Sequence, residues 1–373
     1  MTRREMLAML GVAALPAKAA REAPAAPVAV ARCKSYDDNL AATLSTMFDQ
    51  LGGLDRIVKG KTVTVKLNLT GSPGLRVNGM PVGVTHYTHP LVIEAFAHLC
   101  DRAGARRIRL VESAWATAGL LEDYMLDAGW RVRRLQSAAA NLEFENTNAL
   151  GKGKRYSRFK VPGSAYMFAA YDLNHAYEDT DVLVSMAKLK NHATCGVTLT
   201  LKNCFGITPA SIYGDDAGVD EPNERPTKGR GVVLHAGKRG PSKSAPQEID
   251  PTSNRHPGYR VPRIVADLSA ARPIHLGIID GVETIAAGEG PWIRGVRPVS
   301  PGLLIAGTNP VSTDAVATAI MGYDPAAGWG TVPFVHCDNT LKLAEGHGVG
   351  TTDLKRIEVR GVPIQQAMYR FEA

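Results

Sequence analysis

The sequence contains few of the residues that mark metal-cluster, disulfide-rich and nucleic-acid-binding proteins. Only 5 cysteines occur among 373 residues. They are widely spaced without a C-x-x-C pair, which excludes a ferredoxin-type iron–sulfur cluster and a dense disulfide framework. Aromatic residues make up 6%, and the basic residues behind the net charge of +7 are scattered, whereas nucleic-acid binding needs a basic stripe or interleaved aromatics. We therefore expect no iron–sulfur cluster and no nucleic-acid partner, and interpret the charge as a mild attraction for anions.

Signatures of common nucleotide-binding and hydrolytic enzymes are missing as well. Neither a G-x-G-x-x-G fingerprint nor a Walker loop occurs, so the sequence predicts no nucleotide site. The G-x-S-x-G turn of serine hydrolases is also absent. The composition is nevertheless ordinary for a globular protein, with 45% hydrophobic and 21% charged residues. The length allows one large domain or two medium ones.

The first residues have the pattern of an export signal. Arg3 and Arg4 are followed by a short apolar run over residues 6–15 and then by small residues that fit a cleavage site. This order predicts a twin-arginine signal peptide at residues 1–19. The Ala- and Pro-rich residues 20–27 are typical of a flexible leader.

Such a signal predicts a passage through the twin-arginine translocase and a periplasmic or extracellular location. An uncleaved membrane anchor or a chance basic end is the alternative. The apolar run is shorter than the ~20 residues that span a bilayer, so we expect no transmembrane segment in the mature chain.

Strand and helix patterns alternate along residues 28–373. Strands are predicted at 28–31, 61–69, 107–112, 131–135, 181–187, 274–280, 302–307 and 356–359, and helices at 39–51, 90–103, 120–128, 263–271, 310–321 and 341–345. The alternation predicts an α/β domain with a mostly parallel sheet flanked by helices. A long irregular insertion, residues 209–262, interrupts it. Because structureless loops above ~15 residues are usually functional or disordered, the insertion is either a lid over a site or surface disorder.

The segment 188–206 is the most informative part of the chain. It follows the apolar strand 181–187, and Lys188, Lys190 and His192 come first in it. Ligands of open α/β sheets lie at the carboxyl ends of strands. Cationic groups at such a position suit an anionic small molecule, and lysines in apolar surroundings need an acid or a ligand.

Further polar residues occur close to other strand ends. Lys202 and Asn203 lie later in the same segment, either on an extended stretch or at a helix start. Considered singly, each of them is explained more simply as part of a solvent-exposed helix face. Lys66 and Asn68 end the strand 61–69. All four are candidates for binding an anion.

Carboxylates and histidines complete the set of candidates. Glu112 and Asp280 end two strands, where α/β enzymes keep acids, bases and metal ligands. His86 and His89 lie beside the start of a helix, where backbone N–H groups favour anions. Asp314 stands at another helix start, and we expect it to cap that helix or to interact with the helix dipole.

Several short motifs occur in a fixed order, and together they resemble a known family. They are Val65-Lys-Leu-Asn68, Thr88-His-Pro90, Lys188-Leu-Lys-Asn-His192, Thr200-Leu-Lys-Asn-Cys-Phe-Gly206, Ile279-Asp-Gly281, Gly290-Pro291 and Pro310-Val-Ser-Thr-Asp314. Over roughly residues 60–325 the chain resembles the domain-of-unknown-function 362 family. Members often carry a twin-arginine leader and some carry a ferredoxin module, whose cysteines this chain lacks. The family is distantly similar to the substrate domain of lactate racemase, a nickel-pincer enzyme, which implies proton or hydride chemistry on a small hydroxy acid.

The leading hypothesis is an exported enzyme, isomerase-, epimerase- or oxidoreductase-like, that acts on a small anionic or hydroxylated substrate. The predicted catalytic residues are Lys188, His192, Lys202 and Asp280. The predicted substrate-binding residues are Lys66, Asn68, His89, Lys190 and Asn203. The cofactor is unspecified, and Glu112, His192 and Asp280 are the candidate ligands for a divalent metal. The alternatives are a non-catalytic periplasmic ligand-binding or assembly protein, and a metal or cofactor carrier.

Overall fold

The computed structural model describes residues 22–372, and an eight-stranded sheet lies at its centre. Eight of the strands described form this sheet, and the other six form three small two-stranded sheets. The strands are β1 Val28–Arg32, β2 Thr62–Lys66, β3 Arg107–Glu112, β4 Leu142–Asn146, β5 Ser157–Lys160, β6 Ala170–Leu173, β7 Val182–Lys188, β8 Asn191–His192, β9 Gly196–Val197, β10 Leu276–Gly281, β11 Thr284–Ala286, β12 Arg297–Val299, β13 Leu303–Gly307 and β14 Val359–Gly361. The order in the large sheet is β14-β1-β13-β10-β7-β2-β3-β4. Only β13 runs antiparallel to its neighbours, so the predicted α/β fold with a mostly parallel sheet is confirmed.

The helices cover both faces of this sheet. They are α1 Leu40–Gln50, α2 Leu54–Val58, α3 Pro90–Arg102, α4 Leu121–Asp127, α5 Val132–Gln136, α6 Leu199–Asn203, α7 Ala210–Tyr213, α8 Pro257–Ala271, α9 Pro310–Ile320, α10 Thr340–Gly346 and α11 Ile364–Ala367. One hydrophobic core contains α1 and α3 with Val184 and Met186 of β7. The other contains α8 and α9 with Leu183 and Ala187 of β7. Neighbouring residues of β7 therefore belong to opposite faces, as the strand period of two requires.

Several elements differ from the sequence-based prediction. Residues 132–136 form a helix, α5, where a strand was predicted at 131–135, and Leu135 is buried. The sequence analysis missed the edge strand β4 and the short strands β5, β6, β8, β9, β11 and β12. The strand predicted at 356–359 is β14, which begins only at Val359. Helix α8 begins at Pro257, six residues before the predicted start, with the ring of His256 as its N-cap. Pro262 lies inside α8. Because proline usually interrupts a helix, the sequence-based prediction placed the start of this helix after Pro262.

The N-terminal predictions fall partly outside the described residues. The signal peptide at 1–19 lies outside them, and the leader at 20–27 is described from residue 22. There the carbonyls of Ala23 and Pro24 accept hydrogen bonds from Arg356 and from the Thr351 N–H. Within residues 22–372, none of the helices combines the length and the apolar character needed to cross a membrane.

The insertion 209–262 is described throughout. It contains α7, a five-residue π-helical turn at Gly231–His235 and the first turns of α8, and the rest has no regular structure. The carboxylate of Asp215 accepts hydrogen bonds from the N–H groups of Gly231 and Val232, the latter at 2.6 Å. This contact fixes the start of the π-helical turn. The five cysteines of the chain are all free and buried.

Candidate functional site

A cavity of about 470 Å³ lies at the carboxyl ends of β2 and β3. Its walls come from these strand ends, from α6, from the π-helical turn at Gly231–His235 and from the loops after β3 and β11. Ligands of open α/β sheets bind at this edge, and ligand pockets typically enclose ~300–1,000 Å³. We therefore take this cavity as the candidate site.

The cavity brings together six of the ten residues that the sequence predicted for the site. They are Lys66, Asn68, Glu112, His192, Lys202 and Asn203. His89, Lys188, Lys190 and Asp280 are not among its lining residues. The contacts of the two groups differ accordingly.

Lys66 and Glu112 form a buried ion pair on the cavity wall. Their Nζ and Oε1 atoms are 2.5 Å apart. The ammonium also donates to the carbonyl of Leu67 at 2.6 Å, and the other carboxylate oxygen accepts the N–H of Leu69 at 2.8 Å. Both charges are thus compensated within the protein, and their geometry is fixed by the backbone that follows β2.

Asn203 anchors α6 to the sheet. Its side-chain oxygen accepts from Asn68 at 3.0 Å and from Lys66 at 3.3 Å. Its amide nitrogen donates to the hydroxyl of Ser185 at 3.0 Å and to the carbonyl of Lys66. All of its polar capacity is therefore used inside the protein, which makes Asn203 a positioning residue for its neighbour Lys202.

Lys202 presents its amine at the cavity wall. Among residues 22–372 its Nζ makes neither a hydrogen bond nor an ion pair, and it lies 4.5 Å from the centre of the Phe205 ring. Burial lowers the pKa of Lys202. A nearby anion would offset that penalty, because an opposite charge favours the ammonium form. Lys202 is therefore the cavity's best candidate for holding an anion.

Asp314 holds the helix that carries Lys202. Its two carboxylate oxygens accept the N–H groups of Thr200 and Leu201, each at 2.8 Å. The prediction that Asp314 caps its own helix is wrong: the N-cap of α9 is Asn309, which accepts the N–H of Ser312. Asp314 lies farther along α9 and satisfies the first turn of α6 instead. Burial raises the pKa of Asp314 to about 7.

Two histidines of the cavity carry their protons on different nitrogens. His192 Nδ1 accepts the N–H of Thr194 at 3.1 Å, which assigns the proton of the neutral ring to Nε2. His235 Nδ1 is 3.0 Å from the carbonyl of Arg230, which assigns its proton to Nδ1 and leaves a lone pair on Nε2. Burial lowers the pKa of His235 to about 4 and that of His192 well below its ordinary value. At neutral pH the cavity thus contains one imidazole donor and one imidazole acceptor.

The sequence analysis did not identify several residues that line the cavity. Arg230 and His235 belong to the insertion, where no periodicity marked them. Arg230 donates to the Thr208 carbonyl at 2.8 Å and to Asn148 at 2.6 Å, and burial lowers its pKa to about 10. Glu289 adjoins Gly290-Pro291, and this motif was the one signal that could have located it.

Glu289 is an ionised carboxylate at the cavity wall. Oε2 accepts the N–H of Ala193 and Oε1 accepts the indole N–H of Trp292, each at 2.9 Å. His192 Nδ1 is 4.0 Å away. Burial disfavours the charge, yet a protonated His192 ring and the two N–H donors lower the pKa of Glu289, and with His192 neutral the two donors still favour the ionised form. Glu289 therefore connects the loop that carries His192 to the loop that carries Trp292.

Lys188 and Asp280 form a separate, fully buried ion pair. Nζ and Oδ2 are 2.8 Å apart, and both side chains are inaccessible to solvent. The Lys188 ammonium also donates to the Tyr36 hydroxyl and the Gly83 carbonyl, and the Asp280 carboxylate accepts the N–H of His89. Burial lowers the pKa of Lys188, and Asp280 opposes that shift. The pair joins β7 and β10 to the α1–α3 side of the sheet.

Lys190 lies on the same α1–α3 side of the sheet as Lys188. Its ammonium donates to the carbonyls of His86 at 2.6 Å and Glu289 at 3.2 Å. Burial lowers the pKa of Lys190 to about 7. The residue therefore ties two loops together and has no direct part in the cavity wall.

The three candidate metal ligands do not converge. Glu112 pairs with Lys66, His192 lies beside Glu289, and Asp280 pairs with Lys188. Across the described part of the chain, no group of three histidine, cysteine or acidic side chains is placed to hold a metal ion.

Comparison with known proteins gives a family and a relative. The family model described as a domain of unknown function, DUF362, matches residues 63–319. A thylakoid-associated protein of Synechocystis sp. is 26% identical over 319 residues, which cover 85% of this chain and 79% of that protein. A crystal structure of a protein from Thermotoga maritima aligns with a TM-score of 0.35 and 12% identity, over 72% of this chain and 56% of that one. This chain thus spans little more than half the length of that structure.

Proposed function

The chain belongs to the DUF362 family of domains of unknown function, and we propose that it is an enzyme that moves a proton on a small anionic substrate, as isomerases and epimerases do. The observation that carries the proposal is the Lys202 amine, which has no polar partner among residues 22–372 and lines the cavity beside two neutral histidines. Lys202 is partly buried, and removing a cationic group from water without giving it a partner is costly. Lys202 is therefore suited to the substrate's negative charge.

Arg230 and Lys202 supply the electrostatic part of the proposed reaction. Both line the cavity, and the guanidinium of Arg230 is held by Thr208 and Asn148. Fixed positive groups stabilise charge that develops in a transition state. When a proton leaves the carbon next to a carboxylate, the remaining electron pair delocalises into that carboxylate, which these two residues would hold.

The two imidazoles have different parts in the proton transfer. The C–H bond breaks and its proton goes to Nε2 of His235, which has a free lone pair in the neutral ring. The charged His235 ring exchanges this proton with water and returns a proton from Nε2 to the carbon, so the ring ends neutral. The neutral His192 ring keeps its Nε2–H and donates it as a hydrogen bond to the substrate. The substrate keeps its oxidation state.

Solvent-deuterium exchange tests this proposal without a known product. The purified protein is incubated in D₂O with a panel of 2-hydroxy acids, and ¹H NMR follows the loss of the Cα–H signal. We expect exchange with at least one acid, and His235→Gln should slow it by about 100-fold, the scale of general-base catalysis. His98→Gln is the matched control, because His98 is exposed and lies outside the cavity.

Two results would contradict the proposal in different ways. Saturable, Lys202-dependent binding without any exchange would identify a non-catalytic binding protein. Exchange that survives in His235→Gln at the wild-type rate would remove His235 from the reaction.

Export by the twin-arginine route is a separate part of the proposal, supported by Arg3 and Arg4. The double variant Arg3→Lys/Arg4→Lys keeps the charge but is expected to leave the protein in the cytoplasm, since a recognised arginine pair is not replaced by lysine. Cell fractionation and immunoblotting measure this. Lys18→Arg is the control. Unchanged export of the double variant would contradict the predicted leader.

A further inference from the structure

The cavity contains two half-exposed tryptophans that the proposed proton transfer does not use. Trp115 is 50% exposed and Trp292 is 46% exposed, and both line the cavity wall. They come from different loops, one after β3 and the other between β11 and β12. Large aromatic side chains left open at a ligand site provide area for stacking.

Trp292 is held rigidly despite its exposure. Its indole N–H donates to Glu289 at 2.9 Å. The backbone of Gly71 and Gly290 lies so close to the ring that a Cβ at either position would fall within 2.5 Å of an indole carbon. The His86 ring meets the indole edge-on, with centroids 6.0 Å apart. A ring fixed before a ligand arrives loses little freedom when the ligand binds.

The volume of the cavity exceeds what a simple anion needs. A carboxylate group displaces only a few waters, each with a share of ~30 Å³ of liquid. The cavity encloses about 470 Å³, in the range of pockets for drug-sized ligands. The space beyond Lys202 and Arg230 is therefore large enough for a second, larger part of the ligand.

We propose that the ligand of this cavity is an anion joined to a ring with a face that can stack on an indole, so that the ring lies against Trp292 and Trp115 while the anionic group binds Lys202 and Arg230. This inference rests on the proposed function and specifies its substrate class. The ring is either aromatic or a sugar, because an indole face stacks on both. An open-chain acid of similar size would fill the volume without stacking.

Isothermal titration calorimetry with four acids tests the inference. Mandelate carries a phenyl ring, glucuronate a sugar ring, 2-hydroxyhexanoate an open chain, and lactate only a methyl group. We expect mandelate or glucuronate to bind at least about tenfold more tightly than lactate and 2-hydroxyhexanoate, the scale of stacking on an aromatic side chain. Which of the two gains affinity identifies the type of ring.

Single-residue variants show which side chains provide the higher affinity for acids that carry a ring. Trp292→Ala and Trp115→Ala should each remove most of the tenfold difference and leave lactate binding nearly unchanged, whereas Trp292→Phe should keep part of it. Trp329→Ala is the matched control, because Trp329 is 48% exposed but lies outside the cavity. Lys202→Met should weaken all four acids alike.

The possible failures are distinguishable. Equal binding of ring and open-chain acids, with Lys202 still required, overturns the ring inference and leaves the proposed function intact. A ring preference that persists in both tryptophan-to-alanine variants overturns it as well. Binding of none of the four acids overturns the proposed function and the ring inference together.

Discussion

Asp280→Ala is expected to lower the free energy of unfolding by about 3–5 kcal/mol, the usual cost of removing one partner from a buried ion pair. The variant leaves the Lys188 ammonium buried beside only the Tyr36 hydroxyl and the Gly83 carbonyl. It also removes the acceptor of the His89 N–H. Urea denaturation followed by circular dichroism measures the loss, at the pH of the activity assays.

The double variant Lys188→Met/Asp280→Leu is the control for this prediction. It removes both charges together, and replacing a buried pair with apolar residues is often neutral or stabilising. We expect it to regain at least half of the stability lost in Asp280→Ala. If Asp280→Ala instead folds as stably as the wild type and loses activity, Asp280 has the catalytic role that the sequence first suggested.

Asp314→Ala is expected to destabilise the protein by about 2–6 kcal/mol and to weaken anion binding at Lys202. The N–H groups of Thr200 and Leu201 would lose their acceptor, and a buried unsatisfied donor costs ~1–3 kcal/mol. Because α6 carries Lys202, its displacement moves the amine away from the cavity. Thermal unfolding and calorimetric titration with lactate measure the two effects, and Asp338→Ala, an acid outside α6 and the cavity, serves as the comparison.

The ionisation of Asp314 also predicts a pH dependence. Its pKa is raised to about 7 in the folded protein, against ~3.9 in an unfolded chain. The folded state therefore binds this proton more tightly, so the contribution to stability is present at acidic pH and is lost as the pH rises through about 7. Asp314→Asn cannot titrate. The stability difference between wild type and Asp314→Asn should shift against the wild type between about pH 4 and about pH 7 and stay level above that, and a constant difference across this window would contradict this account.

Strand–helix alternation was readable from the sequence because apolar periodicity reports local structure directly. The buried strands β7 and β10 are mostly apolar runs, as expected for a parallel sheet covered on both faces, whereas β2 and β3 alternate polar and apolar residues. The failures were local as well. Helix α5 is a single short turn, and α8 contains a proline, so tertiary packing overrode weak propensities there.

The candidate site was only partly readable because its residues come from distant parts of the chain. The strand ends pointed to Lys66 and Glu112, and the segment 188–206 pointed to His192 and Lys202. Arg230 and His235 lie in a segment without periodicity, where only the folded chain brings them to the cavity.

The sequence by itself determined most strands of the large sheet and that cationic side chains cluster near the carboxyl ends of two of them. Only the tertiary structure decided on which face of the sheet each side chain lies. Lys66 pairs in register with Ser185 of β7, whereas Asp280 pairs with Lys188, three residues farther along that strand. Because side chains alternate across a strand, Lys66 reaches the cavity, and Lys188 and Asp280 meet on the opposite face. Lys202 is distant from Lys66 in the chain, but helix α6 places it on the same face of the sheet, at the cavity. What covers each face depends on long-range packing, which a run of neighbouring residues does not encode.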